Sequence, residues 1–315
     1  MIYIEILIIL IILLHGWMGL RRGFLSQTLD LIGIVISFIL SLRYFAVAAT
    51  IFTNWGISSN LAKPVGFLTL WVLFQLVFYL ITLLVFHYVP EWVNDNKFNR
   101  FFGIIPGLLK GIVVAAIILM ICFILPVSPA FKDNLVKYPI SGFFIKSSAM
   151  AELQMEKVFD GVKSLNFFGT VSQNEEMTKL DFKVDKFSVD ENSENKMINL
   201  VNSERAKAGL QPLMLDPTIR TVARFHSIDM AKNGYFSHVN LAGKTPADRM
   251  TAGGVTYWLA GENIALAPNV DLAEIGFMNS PKHRDNILDP KYGRIGVGII
   301  DMGVYGKMVT QNFAD

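Results

Sequence analysis

Apolar residues gather in four long runs within the first 126 positions, at about 2 to 20, 29 to 52, 64 to 87 and 103 to 126. A bilayer core about 30 Å thick is crossed by about 20 residues of helix, so each run is long enough to span it. Beyond residue 130 the pattern changes. Met150 to Ser164 reads as an amphipathic helix carrying Leu153, Val158, Phe159 and Val162. Residues 170 to 195 are rich in Glu, Asp, Lys, Ser and Asn without a period and read as a solvated connector. Helical periodicity then returns. Met197, Ile198, Val201 and Ala208 stripe a helix over 194 to 208 that Gly209 ends. Ile219, Val222, Ala223, His226 and Met230 share one face of a second helix, with Asp216 to cap it, Pro217 in its first turn and Gly234 to stop it, so His226 points inward. Arg294 to Ile300 and Tyr305 to Phe313 read as two strands of a hairpin. The expectation is a four-span transmembrane bundle (1–165), a linker (166–194) and an α+β layered domain (195–315).

Charge agrees with this division. Of 28 Lys/Arg and 26 Asp/Glu, only Arg21, Arg22, Arg43, Lys63, Lys97, Arg100 and Lys110 and the acids Glu5, Asp30, Glu91 and Asp95 precede Pro129. The mean hydropathy of +0.43 reflects that apolar half. The first run lacks a basic segment before it and a small-residue cleavage site after it, which marks an uncleaved anchor rather than a secretory leader. Arg21/Arg22 and Lys97/Arg100 place the first and third loops in the cytoplasm, and an even number of spans then puts both ends outside. A net charge of +2 without a basic stripe excludes nucleic acid as a partner; the bilayer is the partner the composition names. The single cysteine, Cys122, falls in the fourth run, so no internal disulfide is available to the C-terminal domain.

Within the spans, Gly103, Gly107 and Gly111 recur every fourth residue and favour close helix packing inside one subunit over a dimer seam. Pro106 is a candidate kink. Asp30 and Arg43 lie near span ends, where snorkelling accounts for a charge.

Trp17-Met-Gly-Leu-Arg-Arg-Gly-Phe24 and Asn99-Arg-Phe-Phe-Gly-Ile-Ile-Pro-Gly-Leu-Leu-Lys-Gly111 resemble the colicin V production protein family, over about residues 1 to 165. That resemblance implies a small multi-span membrane protein linked to toxin production or envelope processes. In the second half, Leu200-Val-Asn-Ser-Glu-Arg205, Ala223-Arg-Phe-His-Ser-Ile-Asp-Met-Ala231, Tyr235-Phe-Ser-His238, Ala260-Gly-Glu-Asn-Ile-Ala265, Met278-Asn-Ser-Pro-Lys-His-Arg-Asp-Asn-Ile-Leu288 and Thr310-Gln-Asn-Phe313 resemble, in this order, the bacterial branch of the CAP (SCP-like) superfamily. The resemblance implies an α-β-α sandwich with an open cleft at His238, Glu262 and His283, with His226 beside them. Eukaryotic relatives often add a second glutamate, for which this chain offers only Glu274, and their disulfides are absent.

Two histidines and a carboxylate form a possible divalent-metal site, zinc above all, with an open position for water. His283, in a first helical turn behind Ser280 and Pro281, is held neutral by the helix dipole. Plainer roles compete: His226 as a core histidine bonded to backbone, Glu262 as a brace for backbone amides, Asn286 as a loop cap, Arg284 and Arg294 as surface charges. No Gly-x-Ser-x-Gly elbow, dinucleotide or phosphate loop is present. Two functions follow as expectations: an envelope protein whose extracellular domain binds an unidentified lipid, glycan or protein ligand, or a metal-assisted hydrolase of peptide or cell-wall material.

Overall fold

The computed structural model describes residues 2–57, 59–90, 93, 96–124, 129–156, 170–171, 177–180 and 182–315. The chain forms two compact units, Met1–Leu125 with Asn134–Leu165, and Pro126–Asp133 with Asn166–Asp315.

In the first unit α1 (Ile2–Arg22), α2 (Phe24–Asn54) and α3 (Ser59–Tyr88) are followed by a short α4 (Lys97–Phe102), α5 (Ile104–Ile124), α6 (Pro129–Lys137), which bridges the division, and α7 (Pro139–Glu156). Among the described residues four helices are long and apolar enough to cross a membrane: Ile2–Arg22, Phe24–Asn54, Ala62–Tyr88 and Lys97–Cys122. Leu125 and Pro126 of the fourth run, and residues 157–164 of the amphipathic helix, lie outside the described residues.

The glycine seam packs α5 against α1. A Cβ on Gly107 would stand 2.5 Å from the His15 carbonyl, one on Gly111 2.7 Å from Ile12 Cα, and one on Gly103 would strike the Gly19 carbonyl. Small residues admit this approach in lipid, where no hydrophobic force drives helices together. The fourth span breaks at Gly103, not at Pro106. Pro106 falls in the first turn of α5, where its missing N–H costs no helical bond. Asp30 does not snorkel: its Oδ2 meets Lys110 Nζ at 2.6 Å and Arg22 Nη1 at 3.7 Å. Both oxygens of Glu5 accept backbone N–H groups at the start of α7, from Ile140 (2.9 Å) and Ser141 (2.8 Å). A carboxylate inside the bundle is thereby satisfied by a helix N-terminus.

The second unit is an α-β-α sandwich. Its elements are β1 (Thr170–Val171), β2 (Thr178–Lys179), β3 (Ser188–Val189), α8 (Glu191–Lys207), β4 (Met214–Leu215), α9 (Pro217–Asn233), β5 (Tyr235–Phe236), α10 (Pro246–Ala252), β6 (Ala260–Ala267), α11 (Val270–Asn279), α12 (Pro281–Leu288), β7 (Arg294–Asp301) and β8 (Lys307–Ala314). The sheet runs β1-β6-β8-β7-β3, antiparallel, with β4 parallel to β7. The hairpin β7/β8 and the helix ends agree with the expectation. Asp216 caps α9 through Thr218 and Ile219, and Gly234 ends it at φ 68°. The connector is partly built into the domain, because β2 pairs with β5 and β3 with β7. The two-residue strands β2 and β3 contribute backbone bonds and leave their own side chains exposed, so they carry no apolar period.

The alternation of β7 explains the layers. Ile295, Val297 and Ile299 enter a core with Met197 and Val201 of α8, Phe277 of α11 and Ile287 of α12. On the other face Gly296 and Gly298 let α9 lie against the strand: a Cβ on Gly296 would be 2.6 Å from Ile219 Cγ2, and one on Gly298 2.5 Å from Arg224 Cα. Ser227 Oγ completes the join by donating to the Gly298 carbonyl at 3.0 Å and meeting Thr310 Oγ1 at 2.8 Å. Overpacking of such a contact costs about 1–3 kcal/mol. Gly298→Val should therefore destabilise the C-terminal unit by about that amount, read as faster amide exchange in β7 and α9 of the full chain. Unchanged exchange would show that α9 does not rest on this glycine pair.

Candidate functional site

Helix α9 presents His226 to the sheet edge, where it is buried at 1% exposure. Its Nε2 lies 3.0 Å from the Ser237 carbonyl, which accepts only, so the ring proton sits on Nε2. Nδ1 has no hydrogen bond. Burial, the largest influence, lowers the pKa of this histidine and keeps it neutral, against the pull of Glu262 3.8 Å away. His226 is thus the backbone-bonded core histidine of the plainer reading.

Glu262, on β6, is the centre of the cluster. His238 Nδ1 stands 3.0 Å from Oε1, and Arg249 Nη2 donates to Oε2 at 2.6 Å. Burial pushes the Glu262 pKa up most strongly, but the His238 hydrogen bond and the Arg249 guanidinium outweigh it and hold the carboxyl below its ordinary range. The brace for backbone amides is replaced by a side-chain clamp. Arg249 escaped the sequence reading. It lies on α10, which opens with a capping box between Thr245 and Asp248, and its Nη1 also donates to the carbonyls of His238 (2.7 Å) and Lys244 (2.9 Å). The Thr-Pro-x-Asp capping pattern marks the helix; only the fold brings its arginine to a residue thirteen positions on.

A cavity of about 450 Å³ opens beside the cluster, lined by His238, Val239, Thr245, Pro246, Ala247 and Glu262 among others. His238 is its accessible ionisable ring, 20% exposed, while the Glu262 side chain is 1% exposed behind it. Because Nδ1 is directed at a carboxylate, Nε2 is the basic nitrogen of a neutral His238.

His226, His238 and Glu262 come together, and His283 is held elsewhere. Its Nδ1 is 2.7 Å from Ser280 Oγ, its ring packs on Phe277, and its carbonyl accepts from Asn263 Nδ2 at 3.1 Å. Strand alternation puts Asn263 and Glu262 on opposite faces of β6. His283 is not among the described residues lining the cavity. Ser280, at the N-cap of α12, spends its hydroxyl on the histidine instead of capping a backbone N–H. Asn286 donates to Asn263 Oδ1 at 2.8 Å, and Arg294 ties Asp216 (2.9 Å) to the carbonyls of Asp315 and Thr256.

The zinc expectation for His238, Glu262 and His283 has no support in this geometry. Both Glu262 oxygens are engaged, a guanidinium stands where a cation would bind, and no group of three or more His, Cys, Asp or Glu among the described residues could hold a metal ion. Glu274 on α11 is buried with neither oxygen hydrogen-bonded. Burial chiefly, and the charge of Glu204, raise its pKa to about 8; Gln311 lowers it only in part, its amide lying near without hydrogen-bond geometry.

Residues 4–157 match the family model of the colicin V production protein, and residues 198–313 that of the cysteine-rich secretory protein (CAP) family. Two family domains are joined in this chain. Over 121 residues it is 41% identical to the uncharacterized protein YkwD of Bacillus subtilis (strain 168), covering 38% of this chain and 46% of that protein. Over 122 residues it is 40% identical to the uncharacterized membrane protein YlbC of the same strain, covering 38% and 34%. The chain thus spans less than half the length of these curated relatives. Among solved structures, the CAP domain resembles an extracellular protein containing a SCP domain from Bacillus anthracis str. Ames, at 38% identity and a TM-score of 0.37, with 39% of this chain and 40% of that one covered.

Two outcomes follow for the CAP domain. Removing one partner of a buried ion pair costs about 3–5 kcal/mol. Arg249→Met should destabilise the domain on that scale, and Arg249→Met with Glu262→Gln should recover much of the loss, measured by hydrogen exchange of β6 in the full chain; strictly additive effects would show that the two side chains are not coupled. For Glu274, a carboxyl whose folded pKa lies above its unfolded value binds more protons when folded. Its contribution to stability therefore falls as pH rises from about 4.5 to about 8 and is constant above. Glu274→Gln should flatten that fall and stabilise the domain at pH 8 and above; a variant less stable than wild type at pH 9 would contradict a neutral buried acid.

Proposed function

We propose that the chain is a multi-span envelope protein that displays its CAP domain outside the cell, where the cleft at His238 binds a neutral polar ligand such as a glycan or a peptide segment. The observation that carries this reading is the closed pairing of Glu262. With one oxygen toward His238 and the other toward Arg249, the carboxylate has no unmet demand for a cation, and the cavity offers a ring nitrogen, the Thr245 side chain and apolar walls from Val239, Pro246 and Ala247. That mixture suits hydroxyl and amide groups with some apolar surface. The outside placement draws its support from Arg21/Arg22 and Lys97/Arg100 flanking the spans. A link to toxin production or envelope processes belongs to the same reading.

Hydrolysis of peptide or cell-wall material is the second reading, favoured by one observation: an imidazole oriented by a carboxylate is the pair a general base requires.

The test takes intact spheroplasts carrying the full chain with a C-terminal tag. External protease should release the CAP domain without lysis; cleavage only after lysis would invert the topology and end the extracellular role. Purified muropeptides added to the detergent-solubilised full chain should shift its melting, and His238→Ala should weaken that response by about threefold to tenfold, the effect of one hydrogen bond. A chelator should leave binding unchanged. Muropeptide fragments cleaved by wild type but not by His238→Ala would establish the hydrolase instead.

A further inference from the structure

The membrane unit contains a second ionic centre, at the level where α1 ends and α2 and α5 begin. Asp30 lies six residues beyond the first residue of α2, and Lys110 six residues beyond the first residue of α5. At the helical rise both are about 9 Å inside their helix ends. Lys110 Nζ and Arg22 Nη1 both address Asp30 Oδ2, at 2.6 and 3.7 Å, so two cations share one carboxylate oxygen. The Lys110 and Asp30 side chains are each 14% exposed, while Arg22 is half exposed. The cluster carries one positive charge more than its carboxylate cancels, at a depth where uncompensated charge is costly.

Beside it lies a cavity of about 140 Å³, to which Arg22, Asp30, Gln75, Tyr79, Thr82 and Lys110 contribute. The Gln75 side-chain nitrogen is buried without a hydrogen-bond partner. A buried amide N–H without an acceptor is rare, because it forfeits the bond it had with water. The cavity therefore offers surplus donors and surplus positive charge around a space that holds several water-sized groups. An acceptor-rich anion answers both. A cation does not, since it adds to the excess.

We propose that this cavity is a binding site for a phosphate ester, held by Arg22 and Lys110 with the Gln75 amide as a further donor. Two sources share that chemistry: the headgroup of an anionic phospholipid entering from the bilayer, and a soluble phosphate. Basic pockets between membrane helices take headgroups in this way. Asp30 competes with the ligand for both cations, so it sets affinity downward while keeping the empty site neutral enough to fold.

The full chain in neutral detergent is melted with phosphatidylglycerol, with phosphatidylcholine and with inorganic phosphate. Phosphatidylglycerol should raise the melting temperature saturably and phosphatidylcholine should not. Arg22→Gln and Gln75→Leu, which both keep the Lys110–Asp30 pair, should weaken that response; for Arg22→Gln the loss is about fivefold in apparent affinity, the effect of one basic residue at an anionic surface. Asp30→Asn should strengthen the response, a sign that a merely structural ion pair does not give. Inorganic phosphate that reproduces or competes away the shift identifies a soluble phosphate as the ligand, and inorganic phosphate without effect identifies the lipid. Equal responses to both lipids with none to inorganic phosphate, or unchanged responses in both Arg22→Gln and Gln75→Leu, would overturn the proposal.

Discussion

A carboxylate taken out of water must be ionised among partners or carried neutral, and this constraint organises both domains. Asp30 is met by Lys110 and Arg22, and Glu5 by the first N–H groups of α7. In the CAP domain Glu194, wholly buried, takes Arg224 through Nε (2.8 Å) and Nη2 (2.6 Å) and accepts the Ile299 N–H at 3.2 Å. Lys307 is the converse case, a buried ammonium between Asp190 and Asp301. Each pairing fixes one element against another: α2 on α5, α1 on α7, α8 on α9, and the end of β7 on the start of α8. Glu274 is the exception, and its raised pKa follows from the lack of a partner.

The cluster at Glu262 obeys the same constraint and thereby acquires its chemistry. Arg249 neutralises the carboxylate from the α10 side and leaves the opposite oxygen to orient His238. Without the arginine, a buried glutamate between two imidazoles would attract a proton or a cation. With it, the glutamate is spent on positioning, and the ring of His238 becomes the polar feature offered to the cleft. One guanidinium, contributed by a seven-residue helix, thus leaves Glu262 paired on both oxygens and directed at His238.

Backbone proximity is the second organising factor, and glycine supplies it in both domains. Gly103, Gly107 and Gly111 bring α5 onto α1, and Gly296 and Gly298 bring α9 onto β7. The second contact sets the depth of His226 and through it the wall behind Glu262. In lipid the gain comes from packing of helix against helix; in the CAP domain the same closeness frees the opposite face of β7 to carry Ile295, Val297 and Ile299 into the main core.

The sequence by itself determined the four spans, the glycine seam at Gly103, Gly107 and Gly111, the bounds of α9 between Asp216 and Gly234, the inward aim of His226 and the β7/β8 hairpin. All of these are local: hydrophobic period, capping chemistry and turn residues act within a few positions of the chain. His238 and Glu262 stood out through their motifs, though the contact between them did not. Only the tertiary structure decided that Asp30 pairs with Lys110 eighty residues away, that Arg249 clamps Glu262, that residues 178–179 and 188–189 join sheets, and that His283 is engaged by Ser280 and Asn263. The physical reason is that ion pairs and strand pairings at large sequence separation leave no periodic trace. The partner of a buried charge is chosen by where the chain returns, and in this protein that return is set by glycine contacts and strand register rather than by the spacing of the charges themselves.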